Sequence, residues 1–407
     1  MSEIKVLRDS KKWGEDVFPL LSWFNAEKVK NAKVMVVGAG ALGNEVLKNL
    51  ALFGIGNIIV VDFDRIEHSN LCRSVLFRKE DADNSEFKAE VAAKRIKEIN
   101  SDVNIKAISG DVGNEVGLGL FRKMDVIIGC LDSRHARYLI NRNSFRVNKS
   151  WIDGGIENLE GNVRIFKPGL NCYECSLTDT ELSQLNFRTG CPDIANINFV
   201  QGRVATTPVS ASLIGAIQTQ EAMKIIHGYN EESEKHKCKT LNGRMFKYDG
   251  MFLTANNYKS AFYDDDCMSH EVWEPVINAN ELSADMKVGV VLEKLESIVG
   301  AKDITINMMN DKFVYQIMPE STEEEINIQL PESKVANYIE ENNIKKDPRE
   351  RIFQKFYENI GHDFPYQDLS LHEIGFPHYD IIPVTTPDGI KYVELSKDKH
   401  LFITVLS

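Results

Sequence analysis

The chain has 407 residues, 43 % of them hydrophobic, with 48 basic against 60 acidic side chains and a formal net charge of −12. That length and apolar content can bury a large core in two domains, and the acidic balance excludes a protein that grips nucleic acid through a basic footprint. No apolar run is long enough for a membrane span, Met1-Ser-Glu-Ile-Lys-Val has no signal-peptide pattern, and seven cysteines, an odd number, predict a reducing compartment, the cytoplasm, over a disulfide framework.

Residues 1 to 32 read as a helical lead-in, with Trp13, Phe18, Trp23 and Phe24 spaced like a packed helix face. Residues 33 to 170 alternate strand and helix patterns, as a doubly wound, mostly parallel α/β sheet requires. The run Val34 to Val37 ends at Gly38, and Gly38, Gly40 and Gly43 complete G-x-G-x-x-G where a helix pattern begins. Such glycines permit a tight turn and bring backbone N–H groups close to phosphate at a helix N-terminus. A second run, Ile58 to Val61, ends in Asp62, at the spacing where an acid accepts ribose hydroxyls. Alone the glycines also fit a packing turn; the flanking strands and the acid favour a nucleotide.

Asp64, Asn70, Arg73 and Lys88 follow, and Lys88 opens an amphipathic helix to Asn100 with Ala92, Ala93 and Ile96 at core spacing. The next strand-like run, Asp125 to Leu131, delivers Asp132. Carboxyl ends of parallel strands meet at one crevice, so Asp62 and Asp132 are expected on the same ligand. Each charged residue by itself reads as a solvated loop. Around one crevice they suit an enzyme that splits a triphosphate, where cations stabilise charge on phosphate oxygens and a carboxylate holds magnesium. A dinucleotide oxidoreductase needs no such set.

Trp151 to Ile156 and Asn162 to Phe166 read as later strands, and Ser210 to His227 as a closing helix whose Gly215 and Ala216 suit close packing. Cys172-Tyr-Glu-Cys175 and, far downstream, Cys267-Met-Ser-His270 supply four soft or borderline ligands, the count that zinc takes in closed structural sites. Taken singly, the first pair also fits redox chemistry, and the second a surface loop beside Asp264 to Asp266. Cys72 and Cys130 read as buried packing residues, and Cys238 as part of an exposed turn. Cys191 lies in the long polar segment before the closing helix.

Beyond residue 283 the character changes to a smaller α+β domain, residues 284–407. Strands are expected at Ile304 to Met308, Phe313 to Met318, Ile326 to Leu330, Asp380 to Thr385, Lys391 to Leu395 and Phe402 to Leu406. A hairpin is expected at Pro387-Asp-Gly389, with Asp-Gly supplying positive φ. His362, His372, His378 and His400 lack ligand spacing and read as surface residues.

The chain resembles the ThiF/MoeB/ubiquitin-activating-enzyme superfamily over roughly residues 30 to 270. The resemblance rests on Gly38-Ala-Gly-Ala-Leu-Gly43, Asp62-Phe-Asp64, Ser69-Asn-Leu-Cys-Arg73, Lys88-Ala-Glu90, Cys130-Leu-Asp-Ser133 with Arg137, Gly161-Asn-Val163 and the helix Ile217 to Ile226. It implies a Rossmann-like adenylation domain over residues 1–283 that uses ATP and Mg2+ to adenylate the C-terminal carboxylate of a ubiquitin-like protein. It assigns Asp62 to the ribose, Asn70, Arg73 and Lys88 to the phosphates with the glycine turn, Asp132 to magnesium, and Asp64 to the vicinity of the nucleotide. The superfamily also brings an arginine from an N-terminal helix to the triphosphate, and Arg8 is the arginine available before Val34. Cys267 and His270 stand where the superfamily carries its second C-x-x-C, which supports Zn2+ that pins this segment to the adenylation core.

Residues from about 176 to 207 correspond to the superfamily's crossover loop, which carries the catalytic cysteine in thioester-forming members. Val204 stands where many of them have that cysteine, and valine forms no thioester. Two outcomes stay open. Cys191, the one cysteine in the loop beyond the first zinc pair, attacks the acyl adenylate and passes the carrier to a conjugating enzyme; or the protein stops at adenylation, as a sulfur-carrier-protein adenylyltransferase does. Cys191 is the preferred expectation. The implied partners are a ubiquitin-like or sulfur-carrier protein ending in glycine, a conjugating enzyme and a second copy in a homodimer, with no nucleic acid and no membrane. Leu369 to Pro377 before a strand is similar to β-grasp modules that recruit conjugating enzymes; a plain accessory or dimerisation domain is the alternative. A degenerate, non-enzymatic adaptor is disfavoured, because none of the chemistry-bearing positions is replaced.

Overall fold

The computed structural model describes residues 13–406 except 15–16, 179, 183–205, 230–237, 261–262, 310, 346 and 348–349. Arg8, Cys191 and Val204 lie outside the described residues. An eight-stranded sheet has the order β3-β2-β1-β4-β5-β6-β7-β8. Its strands are β1 (Lys33–Val37), β2 (Asn57–Val61), β3 (Asn104–Ile108), β4 (Val126–Gly129), β5 (Trp151–Glu157), β6 (Glu160–Phe166), β7 (Arg244–Asp249) and β8 (Thr254–Lys259). The first five run parallel and the last three continue the sheet antiparallel. In β1, β2 and β4 nearly every residue is buried, which explains their continuous apolar runs: a parallel sheet is covered on both faces.

The helices of this unit are α1 (Ala26–Asn31), α2 (Ala41–Phe53), α3 (Lys79–Asp83), α4 (Lys88–Ile99), α5 (Leu118–Lys123), α6 (Arg134–Arg146) and α7 (Pro208–His227). Val34, Val36, Ile58, Val60 and Ile128 face one layer with α2, α4 and α7, while Met35, Val37, Ile59 and Ile127 face the other with α5 and α6. Thr207 caps α7 by accepting the Ser210 N–H, and Gly215 lets α7 approach α2 so closely that an added Cβ would lie 2.9 Å from Glu45 Cβ.

The second, smaller unit contains a mixed sheet of order β14-β10-β15-β16-β9 and a three-stranded sheet of order β12-β11-β13. Its elements are β9 (Val276–Ala279), α8 (Val288–Val299), β10 (Thr305–Asn307), β11 (Phe313–Pro319), β12 (Ile326–Pro331), α9 (Glu332–Glu341), β13 (Ile352–Tyr357), β14 (Asn359–Ile360), β15 (Ile381–Thr386), β16 (Gly389–Leu395) and α10 (Ile403–Leu406). Helix α8 buries Val288, Val291, Leu292 and Leu295 in the core beside the mixed sheet, at i, i+3, i+4 and i+7. The two units are closely joined. The Gly119 N–H donates to Tyr379 O at 3.0 Å, Leu118 N–H donates to Asp380 Oδ1 at 2.8 Å, and Arg122 pairs with Glu394 at 2.7 Å. Among the described residues no helix is long and apolar enough to cross a membrane.

Several expectations are corrected. Phe402 to Leu406 is not a strand: a 3-10 turn over Ser396–Phe402 runs into α10, and Phe402, Val405 and Leu406 bury at i, i+3 and i+4 against the first unit. The hairpin expected at Pro387-Asp-Gly389 does form: Thr386 pairs with Gly389, Pro387 and Asp388 occupy the turn, and within the Asp-Gly pair Gly389 carries the positive φ, at 123°. Cys72 is exposed because it sits in the turn after the short helix at His68–Asn70. In the lead-in, Phe18 belongs to a 3-10 turn and stacks on Phe24 and Phe53, so the aromatics cluster without sharing a helix.

Candidate active site

The glycine turn is dictated by contact. Gly38 has φ +95°, and a Cβ there would lie 2.3 Å from Cys130 O; a Cβ on Gly43 would lie 1.9 Å from Gly38 O. These two glycines let the turn fold back against β4 and α2. Gly40 differs: a Cβ there would meet no protein atom within 4 Å, and the residue caps α2 at its N-terminus. Its bareness leaves a cradle at the positive end of a helix dipole, which suits phosphate.

Registers Val37↔Val61 and Val37↔Gly129 place the ends of β2 and β4 on either side of the end of β1, where the strand order reverses. Asp62 follows β2. Its Oδ2 accepts the Ala39 N–H at 2.6 Å and its Oδ1 the Asp64 N–H at 2.8 Å, so the carboxylate is fixed while lone pairs remain for ribose hydroxyls. Burial pushes the Asp62 carboxyl above its ordinary value, against the opposing pull of Lys88 and the two N–H donors. Lys88 pairs with Asp64 at 2.6 Å, and its N–H donates to Asp64 O, so the start of α4 is tied to the loop after β2. Asn70 caps the short helix by accepting the Glu67 N–H at 2.9 Å. Arg73 forms no ion pair among the described residues. Asp132, beyond β4, is exposed and likewise without one. One free carboxylate beside a phosphate cradle fits magnesium, which takes one or two protein carboxylates and completes its shell with phosphate oxygens and water.

Spacing did not disclose a buried triad. Asp153 in β5 has a side chain 1 % exposed, bonded to Arg137 Nε at 2.8 Å and Arg164 Nη2 at 3.0 Å. Burial alone would raise its pKa, but the two guanidinium groups outweigh burial and hold it below the ordinary carboxylate value. Arg137 also donates to Leu131 O at 2.5 Å and thereby secures the loop that presents Asp132. The available signal was an acid inside the apolar run Trp151-Ile-Asp-Gly-Gly.

The ThiF family matches residues 12–268. The chain belongs to the ThiF family. It is 31 % identical over 241 residues to the sulfur carrier protein adenylyltransferase of Thermus thermophilus, covering 58 % of this chain and 81 % of that protein. SUMO-activating enzyme subunit 2 of Dictyostelium discoideum is 39 % identical over 151 residues, 37 % of this chain and 22 % of that one. The probable molybdopterin-synthase adenylyltransferase of Porphyra purpurea is 31 % identical over 244 residues, 60 % of this chain and 58 % of that one. This chain therefore spans only about a fifth and just over half of the last two relatives. A crystal structure of E. coli MccB with ATP matches with a TM-score of 0.47 and 24 % identity, over 60 % of this chain and 68 % of that one.

Away from the nucleotide crevice, this ThiF-family chain gathers Cys172, Cys175, Cys267 and His270, with one ligand atom from each within 4.8 Å of the others. The Cys172 Sγ lies 3.6 Å from both Cys175 Sγ and Cys267 Sγ, and Cys175 Sγ lies 3.4 Å from His270 Nε2. Sulfurs at about 2.3 Å from a tetrahedral ion stand about 3.8 Å apart, so the cluster has the size of a metal site. The His270 ring lies between Phe145 at 5.6 Å and Tyr263 at 4.4 Å, which orients Nε2 toward the thiols. The cluster links the segment after β6 to the segment before β9.

Proposed function

We propose that this protein adenylates the C-terminal carboxylate of a small ubiquitin-like or sulfur-carrier protein at the expense of ATP. The reading rests on the meeting of the Gly38 to Gly43 turn, Asp62 and Asp132 at the carboxyl ends of β1, β2 and β4, where the strand order reverses. Asp62 accepts the ribose hydroxyls. The glycine turn with Asn70, Arg73 and Lys88 holds the phosphates, with Arg8 as a further cation. Asp132 holds a magnesium ion, which supplies charge neutralisation on the phosphates when bound.

The partner's carboxylate oxygen forms a bond to the α-phosphorus while the bond to the bridging oxygen breaks, and its electron pair leaves with pyrophosphate. The carboxylate is already ionised, so no base is needed, and positioning with charge neutralisation carries the step. A thiolate at Cys191 then displaces AMP to give a thioester, which a conjugating enzyme collects. The alternative, release of the adenylate to a sulfur donor, is favoured by the extent of the match to the sulfur carrier protein adenylyltransferase. Zinc in the Cys172, Cys175, Cys267 and His270 cluster acts structurally. The protein works as a homodimer, and the unit beyond about residue 284 recruits the acceptor; its mixed sheet with α8 packed beside it supports a β-grasp-like reading.

ATP–pyrophosphate exchange with a panel of glycine-ended small proteins tests the reaction. Asp132→Ala is expected to abolish exchange with unfolding unchanged, and exchange at the wild-type rate would remove the magnesium assignment. Cys191→Ala is expected to keep exchange and lose a reducible adduct with the carrier; an adduct that persists moves the nucleophile elsewhere, and its absence from the wild type favours the sulfur-carrier reading.

A further inference from the structure

One side chain that takes no part in these assignments controls the shape of the glycine turn. Asn44, on the first turn of α2, is completely buried. Its Nδ2 donates to Ala39 O at 2.7 Å and to Gly40 O at 3.0 Å, and its Oδ1 accepts the Leu76 N–H at 2.8 Å. A planar trans peptide points its C=O and N–H in opposite directions. Drawing Ala39 O inward therefore turns the Gly40 N–H outward, whereas Gly40 O also accepts the Asn44 backbone N–H at 2.9 Å, so the side chain reinforces a helix bond that already turns the Ala41 N–H outward. Neither N–H donates to a protein acceptor among the described residues. Both lie at the bare cradle beside Gly40. Through Leu76, the same amide ties the turn to the segment that carries Arg73, three residues earlier.

We propose that Asn44 is a positioning residue for the nucleotide phosphates. It aims the Gly40 N–H at the phosphate chain, steadies the neighbouring Ala41 N–H and sets the distance between the glycine turn and Arg73. The inference rests on the nucleotide reading above. The amide is needed as such, because the site requires two donors on one atom and an acceptor on the other. Aspartate keeps the size and the acceptor for Leu76 but sets an oxygen against two carbonyls; serine is too short to reach all three partners and introduces no charge.

The experiment measures binding of MgATP and of adenosine by calorimetry to wild type, Asn44→Asp and Asn44→Ser. Both variants are expected to bind MgATP about ten- to a hundredfold more weakly, with adenosine binding unchanged. In exchange assays the KM for ATP rises while the KM for the carrier does not. A side chain that merely stabilised the fold would weaken both ligands together; that result, or undiminished MgATP binding, overturns the assignment. Should one variant fail to fold, the other decides. Wild-type protein that binds no MgATP sinks the nucleotide reading and this inference with it, whereas normal wild-type binding with an indifferent Asn44→Asp sinks this inference alone.

Discussion

Replacing Asp153 by alanine leaves Arg137 and Arg164 facing each other across the space their shared carboxylate filled. Both oxygens of Asp153 are engaged, at 2.8 and 3.0 Å, and the guanidinium-bearing side chains are only 13 % and 22 % exposed. Removing one partner from a buried ion pair costs about 3–5 kcal/mol, and water can reach Arg164 more readily than Arg137, so the expected loss is about 4 kcal/mol. Asparagine fills the space but withdraws the charge and is expected to cost about half as much. Denaturant unfolding at neutral pH reads both values. The pH dependence follows from the depressed carboxyl. Its stabilisation is fully present above the unfolded carboxylate value, about 3.9, and is lost as pH falls through the lower folded value. The wild type should therefore show an acid-side loss that Asp153→Asn lacks. An alanine variant within about 1 kcal/mol of wild type would show that the triad does not hold this edge of the site.

The metal cluster should contain one zinc per chain by elemental analysis; stripping it with chelator, or Cys172→Ser, should lower the melting midpoint by about 10 °C while adenosine binding persists. A preparation without metal that melts at the same temperature would end the structural-zinc reading. Burial raises the Asp62 carboxyl above its ordinary value, and ribose hydroxyls need its ionised form, so ATP affinity should decline as pH falls through that raised value. Asp62→Asn should bind weakly with a flat profile; a sloping profile in that variant would place the titrating group elsewhere.

Local chemistry was the legible part of this chain. The glycine spacing, the apolar runs ending in Asp62 and Asp132, and the two Cys/His pairs are written within a few residues each. What escaped depends on pairs of segments far apart. Asn44 engages Leu76, and Asp153 engages Arg137 and Arg164, through folding that no single window records. Strands β7 and β8 escaped for another reason. β8 is exposed along its whole length and carries no apolar alternation, and β7 is only partly buried, with Phe246 and Tyr248 as its sole core-facing pair. Phe402 to Leu406 misled because aromatic and β-branched residues favour strands by composition, whereas their burial at i, i+3 and i+4 obeys a helix. Packing against the other unit decided between the two.

The return of α10 to the first unit has a practical corollary. Phe402, Val405 and Leu406 share a core cluster with Met35, Val37, Ile59 and Val61, and Tyr379 is buried in the same layer. A fragment truncated near residue 283 would bare a greasy strip on the underside of the nucleotide sheet and would be prone to self-association. The second unit is thus a firmly mounted platform, because Phe402, Val405 and Leu406 near its C-terminal end pack into the body that binds the nucleotide.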